Sequence, residues 1–361
     1  MITALLSGTA SAAVETDSQE VLQAQSDALG LDELTDAAKD YTGDVSISEG
    51  VGLDDGLYSI LQTGTDQVSG IVKKAVRSGV LLLVIVMLTG LADNITLGAG
   101  AKTIQAAPIA AALSITAIAV SDATTLIGLG TQAIDNMDAF SKILLPTIAA
   151  ATAASGAVAG ATARQVASML FSDILITLIS RFLMPLVYTY IAACTAHAAI
   201  GNEGLKRIAG MLKWFITSIL TVILLAFIGY MTVSGVIAGT TDAITIKAAK
   251  FTMSSMVPVV GGIISDAAET VLAGAAILKN TIGVFGMLAV LGICLTPFLQ
   301  LGIHYLIYKI TAALSSTMAD DRISGLINGI SGAFGLMLGM TASCALLLLV
   351  SMVSAISATT G

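Results

Sequence analysis

Residues 247–286 read KAAKFTMSSMVPVVGGIISDAAETVLAGAAILKNTIGVFG. The pattern is helical and apolar, but Pro258 and the Gly261-Gly262 pair interrupt it, and a new helix is expected to begin at Ser265 or Asp266. Asp266 and Glu269 have the spacing of an N-cap and its N3 partner, a capping box that opens a helix. Lys279 and Asn280 then mark the far end, where a cation suits the negative end of the helix dipole. Such a broken helix belongs at membrane depth, buried or beside an aqueous cavity, or else on the membrane surface as an amphipathic hairpin. The first setting makes the stretch a gate or a permeation constriction.

Working outward, the whole chain has the composition of a membrane protein. Its 361 residues are 56% hydrophobic and only 11% charged, with a mean hydropathy of +0.92. That is too little polar surface to cover a water-soluble globule of this size. The expected fold is all-α: a polytopic transmembrane helical bundle with broken or re-entrant helices and an acidic N-terminal tail. Apolar runs near the length of about 20 residues that a crossing needs occur at 79–97, 106–120, 143–163, 169–193, 212–238, 281–302 and 330–358. They predict about seven crossings, within six to eight, and residues 257–278 and 301–314 read as re-entrant or broken pieces.

The charge is uneven. Residues 1–70 hold 13 of the 24 acidic side chains against one basic residue, Lys39. They form a polar tail, and residues 71–361 form the membrane domain. Residues 1–13 contain a short apolar run and the small-residue stretch Ala10-Ser11-Ala12, but no basic n-region. They are either the remnant of a signal peptide or the apolar beginning of a tail. Lys206, Arg207 and Lys213 place their loop in the cytoplasm by the positive-inside tendency. Counting back four crossings puts the acidic tail there too, whereas a cleaved signal peptide would put it outside. The formal charge of -8 argues against a nucleic-acid partner and leaves the lipid bilayer as the first one.

Asp173, Thr177 and Arg181 fall at i, i+4 and i+8 on one face of a helix that Pro185 is expected to kink. Such a stripe should face the protein interior or a water-filled path, or else serve as a buried structural pair or a snorkelling end. Small-xxx-small spacing at Gly156 with Gly160, Gly325 with Gly329 and Gly335 with Gly339 predicts close helix packing. Cys194 and His197 have the i, i+3 spacing of two metal ligands, but His304 is the only other histidine and no carboxylate cluster accompanies them. No metal site, no cofactor and no catalytic residue is expected. No phosphate loop, H-E-x-x-H or G-x-S-x-G motif appears, so the chain does not read as an enzyme.

Two blocks carry a family resemblance: KFTMSSMVPVVGGIISDAAETVLAGAAILKNTIG (250–283) and AIDNMDAFSKILLPTIAAATAASG (133–156). In order and spacing they resemble the signature regions of the stage III sporulation protein AE family of endospore-forming bacteria, over roughly residues 80–350. The resemblance implies a polytopic protein of the mother-cell membrane around the forespore. It also implies a channel or permease subunit of the conduit that joins the two cells after engulfment. The implied partners are the other stage III A proteins, including a separate secretion-type ATPase and ring-forming subunits, and, indirectly, a forespore membrane protein. The positions that match the signature are Lys250, Pro258, Gly261, Gly262, Asp266, Glu269, Lys279 and Asn280.

Two other readings remain beside this one. Residues 130–146 and 239–258 share a Gly-Thr to proline pattern that hints at a duplicated half. With the charges at Asp173, Arg181 and Asp266, that would suit a self-sufficient secondary transporter of a small solute. A non-conducting membrane anchor for a secretion-like ring is the third reading.

Overall fold

A computed structural model describes residues 23–42, 53–97, 106–156, 158–256, 261–318 and 321–356. Among the described residues the regular structure is helical throughout. In chain order the helices are α1 (Leu31–Thr42), α2 (Leu53–Leu97), α3 (Ala106–Ala154), α4 (Val158–Leu178), α5 (Met184–Ile200), α6 (Glu203–Met256), α7 (Gly261–Ser315) and α8 (Asp321–Ile356). A single π-helical turn, Ile179–Leu183, joins α4 to α5. Pro185 has no N–H for the carbonyl four residues back, and the wider turn absorbs the mismatch just upstream, with the Met184 N–H bonding to Ile179 O.

The core is the antiparallel pair α7–α8. Lys309 Nζ donates to Asn328 Oδ1 at 2.7 Å and Ser331 Oγ to Tyr305 O at 3.1 Å near the connecting turn. At the other end Lys279 Nζ donates to Ile356 O at 2.8 Å. Helix α3 lies antiparallel to α7: Tyr308 bonds Asp122, and further along Cys294 Sγ lies 3.4 Å from Met137 Sδ. Helix α2 runs parallel to α7, because its glycines meet α7 and the turn after it in ascending order. Gly64 faces Leu295, Gly79 faces Ile307 and Thr311, and Gly90 faces the Met318 carbonyl. The α4–α5 rod runs antiparallel to α8, as Ser168 bonds Ser351 at 2.9 Å while Cys194 meets Gly329. Helix α6 folds back along that rod, with Phe171 and Phe227 in ring contact at 5.3 Å. The result is an up-and-down bundle. The described ends of α2, α5 and α7 and the starts of α3, α6 and α8 lie at one end, and the ends of α3 and α6 and the starts of α4 and α7 at the other.

Among the described residues five helical segments are long and apolar enough to cross a membrane: Ile109–Ala154, Val166–Ile200, Glu203–Val233, Leu272–Ser315 and Asp321–Ile356. The expected seven crossings are not clearly present among them. Residues 106–120 and 143–154 belong to one helix, because the polar run between them keeps a core-facing apolar stripe through Leu126, Ile127, Ile134, Met137 and Phe140. The 143–163 segment is not a single span. It turns at Gly156, whose φ of +98° is the left-handed conformation that ends helices, so Gly156 sits in the turn and Gly160 in the next helix. Residues 301–314 are uninterrupted helix within α7. The run at 79–97 is not among the five. The continuous apolar part of α2 after Arg77 amounts to about 12 residues, or roughly 18 Å of helix.

The glycines of α2 generate a prediction. Gly90→Ala would place a Cβ 2.6 Å from the Met318 carbonyl oxygen, a backbone atom, whereas Gly70 has open space around it. Thermal melts in detergent should show Gly90→Ala destabilised by about 1–3 kcal/mol through overpacking. Gly70→Ala should be neutral or slightly stabilised, by up to about 1 kcal/mol of helix propensity.

Candidate functional site

Polar groups gather at mid-height, where α1, α2, α3 and α7 meet around a cavity of about 450 Å³ whose carboxamides Gln67 and Gln132 are exposed and Asn136 half-buried. Helix α1 covers it. Leu31, Leu34, Ala38 and Thr42 of α1 face the bundle while Asp32, Glu33 and Asp36 do not and Asp40 stands exposed at the cavity rim, a 3.6-residue pattern that docks one face of a short acidic helix. Its last turn can approach because α7 carries a glycine there: a Cβ at Gly292 would strike the Tyr41 carbonyl oxygen. Burial, with the Asp40 charge beside it, pushes the Tyr41 phenol above its ordinary range. Beneath α1 the cavity presents Gln67, Gln132, Asn136 and Thr296, and Thr296 Oγ1 donates to Gln67 Oε1 at 3.0 Å. Pro297 also lines it and offers no N–H to the Ile293 carbonyl, another lining group.

A second polar cluster lies about two to three turns further along α7. Tyr308, fully buried, donates to Asp122 Oδ2 at 2.7 Å. His304 Nδ1 sits 2.7 Å from Gln300 O, within electrostatic reach of Asp122 and Lys74. Phe334 of α8 meets the edges of both rings, at 5.0 Å for Tyr308 and 6.2 Å for His304.

The residues singled out by sequence fall elsewhere. Asp173, Thr177 and Arg181 do share one face, but it is the exposed outer one, so the expectation of an inward-facing stripe is corrected. The competing stripe Leu175, Ile179, Leu183 and Val187 is larger and apolar, and it takes the core. The described part of α6 ends at Met256 and α7 begins at Gly261, so the predicted interruption at Pro258 lies outside the described residues, while Gly261 and Gly262 are helical. The restart comes earlier than expected. Asp266 and Glu269 lie inside α7 and are not its cap, and Lys279 and Asn280 do not end it, since α7 continues to Ser315. Lys279 is instead buried against the C-terminal turn of α8, where an ammonium suits the carbonyl end of a helix, and Asn280 is exposed. Pro258 lies outside the described residues, as do the side chains of Lys250, Asp266 and Glu269; Gly261 and Gly262 open α7. Of the predicted packing glycines, Gly329 touches Cys194 and Gly335 touches Tyr305, whereas Gly325 and Gly339 have open space. Gly332, three residues after Gly329, takes the contact with Tyr190 instead. His197 spends its Nδ1 on Asn202 O at 2.9 Å, beside the left-handed Gly201 that turns α5 into α6. Among the described residues no three His, Cys, Asp or Glu side chains converge as metal ligands.

The cavity residues were missed because residues 121–142 read as a polar interval between two spans. The available signal was Gln132 and Asn136 at i, i+4 within an unbroken apolar periodicity.

The helical bundle and its membrane-length apolar segments together define a polytopic all-helical membrane protein. The profile of the Stage III sporulation protein AE family matches residues 54–359, and the chain belongs to that family. It is similar to the Stage III sporulation protein AE of Bacillus subtilis (strain 168), with 27% identity over 214 residues. That alignment covers 59% of this chain and 54% of the relative, so it spans about half of the relative's length. No solved structure matches.

The Tyr308–Asp122 bond can be tested by Tyr308→Phe, which keeps the ring against Phe334 and removes only the hydroxyl donor. Loss of a hydrogen bond to a charged partner should lower stability in thermal melts by about 1.5–3 kcal/mol. Unchanged stability would mean that the bond contributes nothing net.

Proposed function

We propose that the chain is the conduit, a channel or permease subunit, of a transport complex between mother cell and forespore, needed for forespore development after engulfment. The observation that supports it is the cavity of about 450 Å³ at mid-height, lined by carboxamides from different helices of a family member whose composition is otherwise apolar. Polar groups are costly inside a membrane bundle and are kept where they bind or pass something polar. The protein works without chemistry of its own. Its energy comes from a separate secretion-type ATPase among the other stage III A proteins, with ring-forming subunits beside it and a forespore membrane protein across the intermembrane space. It resides in the mother-cell membrane around the forespore.

A clean deletion in a spore-former should arrest development after engulfment, and normal spores would remove the reading.

A further inference from the structure

We propose that the cavity beneath α1 is a binding site for a small organic ammonium ion. This rests on the conduit reading in taking the cavity as part of the permeation route, and it names the class of solute held there. Three features of the lining select the charge. Among the described lining residues none is Lys, Arg or His, while Asp40 of α1 stands at the rim. The side chains that line it beneath α1 include three carboxamides, Gln67, Gln132 and Asn136, whose oxygens accept hydrogen bonds. Pro297 adds a backbone acceptor by leaving the Ile293 carbonyl without its helical N–H donor. Proline-freed carbonyls beside a polar cavity are a device by which membrane helices hold cations.

An anion would meet Asp40 and find no cationic side chain among the described lining residues. Size selects between a metal ion and an organic one. About 450 Å³ falls in the range of small-molecule sites, roughly 300–1,000 Å³, and among the described residues no group of carboxylates, histidines or cysteines converges to cage a metal. An alkylammonium places its N–H donors on the carbonyls and its methylenes against Leu129, Ile293 and Leu295, the apolar part of the wall. Asp40 is supplied by α1, so the site is complete only while α1 is docked, and the glycine at 292 permits that docking.

The experiment uses the full chain purified in detergent, with putrescine dihydrochloride as probe in a thermal melt and in titration calorimetry. Sodium chloride at matched ionic strength and sodium glutamate serve as the alkali and anion arms. A saturable rise in melting temperature with putrescine alone is expected. Asp40→Asn and Asn136→Leu should each weaken binding about tenfold or more, as loss of one charge-assisted contact implies. Gly292→Val, which alters no polar lining group, should weaken it too by displacing the end of α1. Putrescine binding that survives all three substitutions, an equal shift with sodium chloride, or no saturable binding would each overturn the assignment. Reconstitution in liposomes separates it from the conduit reading. Binding without flux would count against conduction and leave the site standing, whereas flux without binding would do the reverse.

Discussion

The antiparallel contact of α7 with α8 is the interaction on which the rest of the bundle is registered. In a bilayer the hydrophobic effect gives no drive for one helix to leave lipid for another, so association depends on close van der Waals contact and interhelical hydrogen bonds. The α7–α8 pair has both. Ile282, Phe285, Ala289, Val290, Leu301 and Tyr308 of α7 are almost fully buried, as are Ile327, Ile330, Phe334, Met337 and Met340 of α8. Lys279 ties α7 to the last turn of α8 at one end, and Lys309 ties it to Asn328 near the other. Helix α2 then reads α7 through glycines, α3 through Tyr308 and Cys294, and the α4–α5 rod reads α8 through Ser351 and Gly329.

Height is the next constraint. Helix α7 has 55 residues, so it is about 82 Å long, against a hydrocarbon thickness of about 30 Å. The other long helices exceed that thickness as well. Part of each rod therefore stands outside the hydrocarbon region. Charged groups such as Asp122, Asp138 and Lys142 can then sit within one continuous helix without all of them lying in lipid.

This length mismatch decides what could be read from sequence. Composition and periodicity gave the all-helical membrane class, and Pro258 falls between the described ends of α6 and α7. The span count failed where hydropathy fell but helical periodicity did not, at 121–142. A window of about 20 residues presumes that a polar interval is a loop. Likewise Lys279 looked like a helix end because a buried lysine inside a helix has no local signature. Its partner, the Ile356 carbonyl, is 77 positions away. The cavity was illegible for the same reason: Asp40, Gln67, Asn136 and Thr296 come from four helices. The stripe Asp173, Thr177 and Arg181 was correctly grouped but wrongly faced, since spacing shows which residues share a face and not which face is buried.

The distribution of polar groups bears on where a conduit would open. Most serines and threonines of the long helices return their hydroxyls to the carbonyl four residues back, as Thr152 and Thr341 do, and contribute little to a path. Met137 and Ser172 line one small void, so Asp173 and Arg181 on the outside stand level with the stretch of α3 that faces the cavity on the inside. Lys142 pairs with Asp138 at 2.6 Å and feels Asp173, extending the same belt. Polar groups thus recur across the bundle at this level and again along α7, at His304 and Tyr308. Charges on the outer face cost about 3 kcal/mol each where they meet lipid, so Lys142, Asp173 and Arg181 limit how much of the bundle the hydrocarbon region can cover.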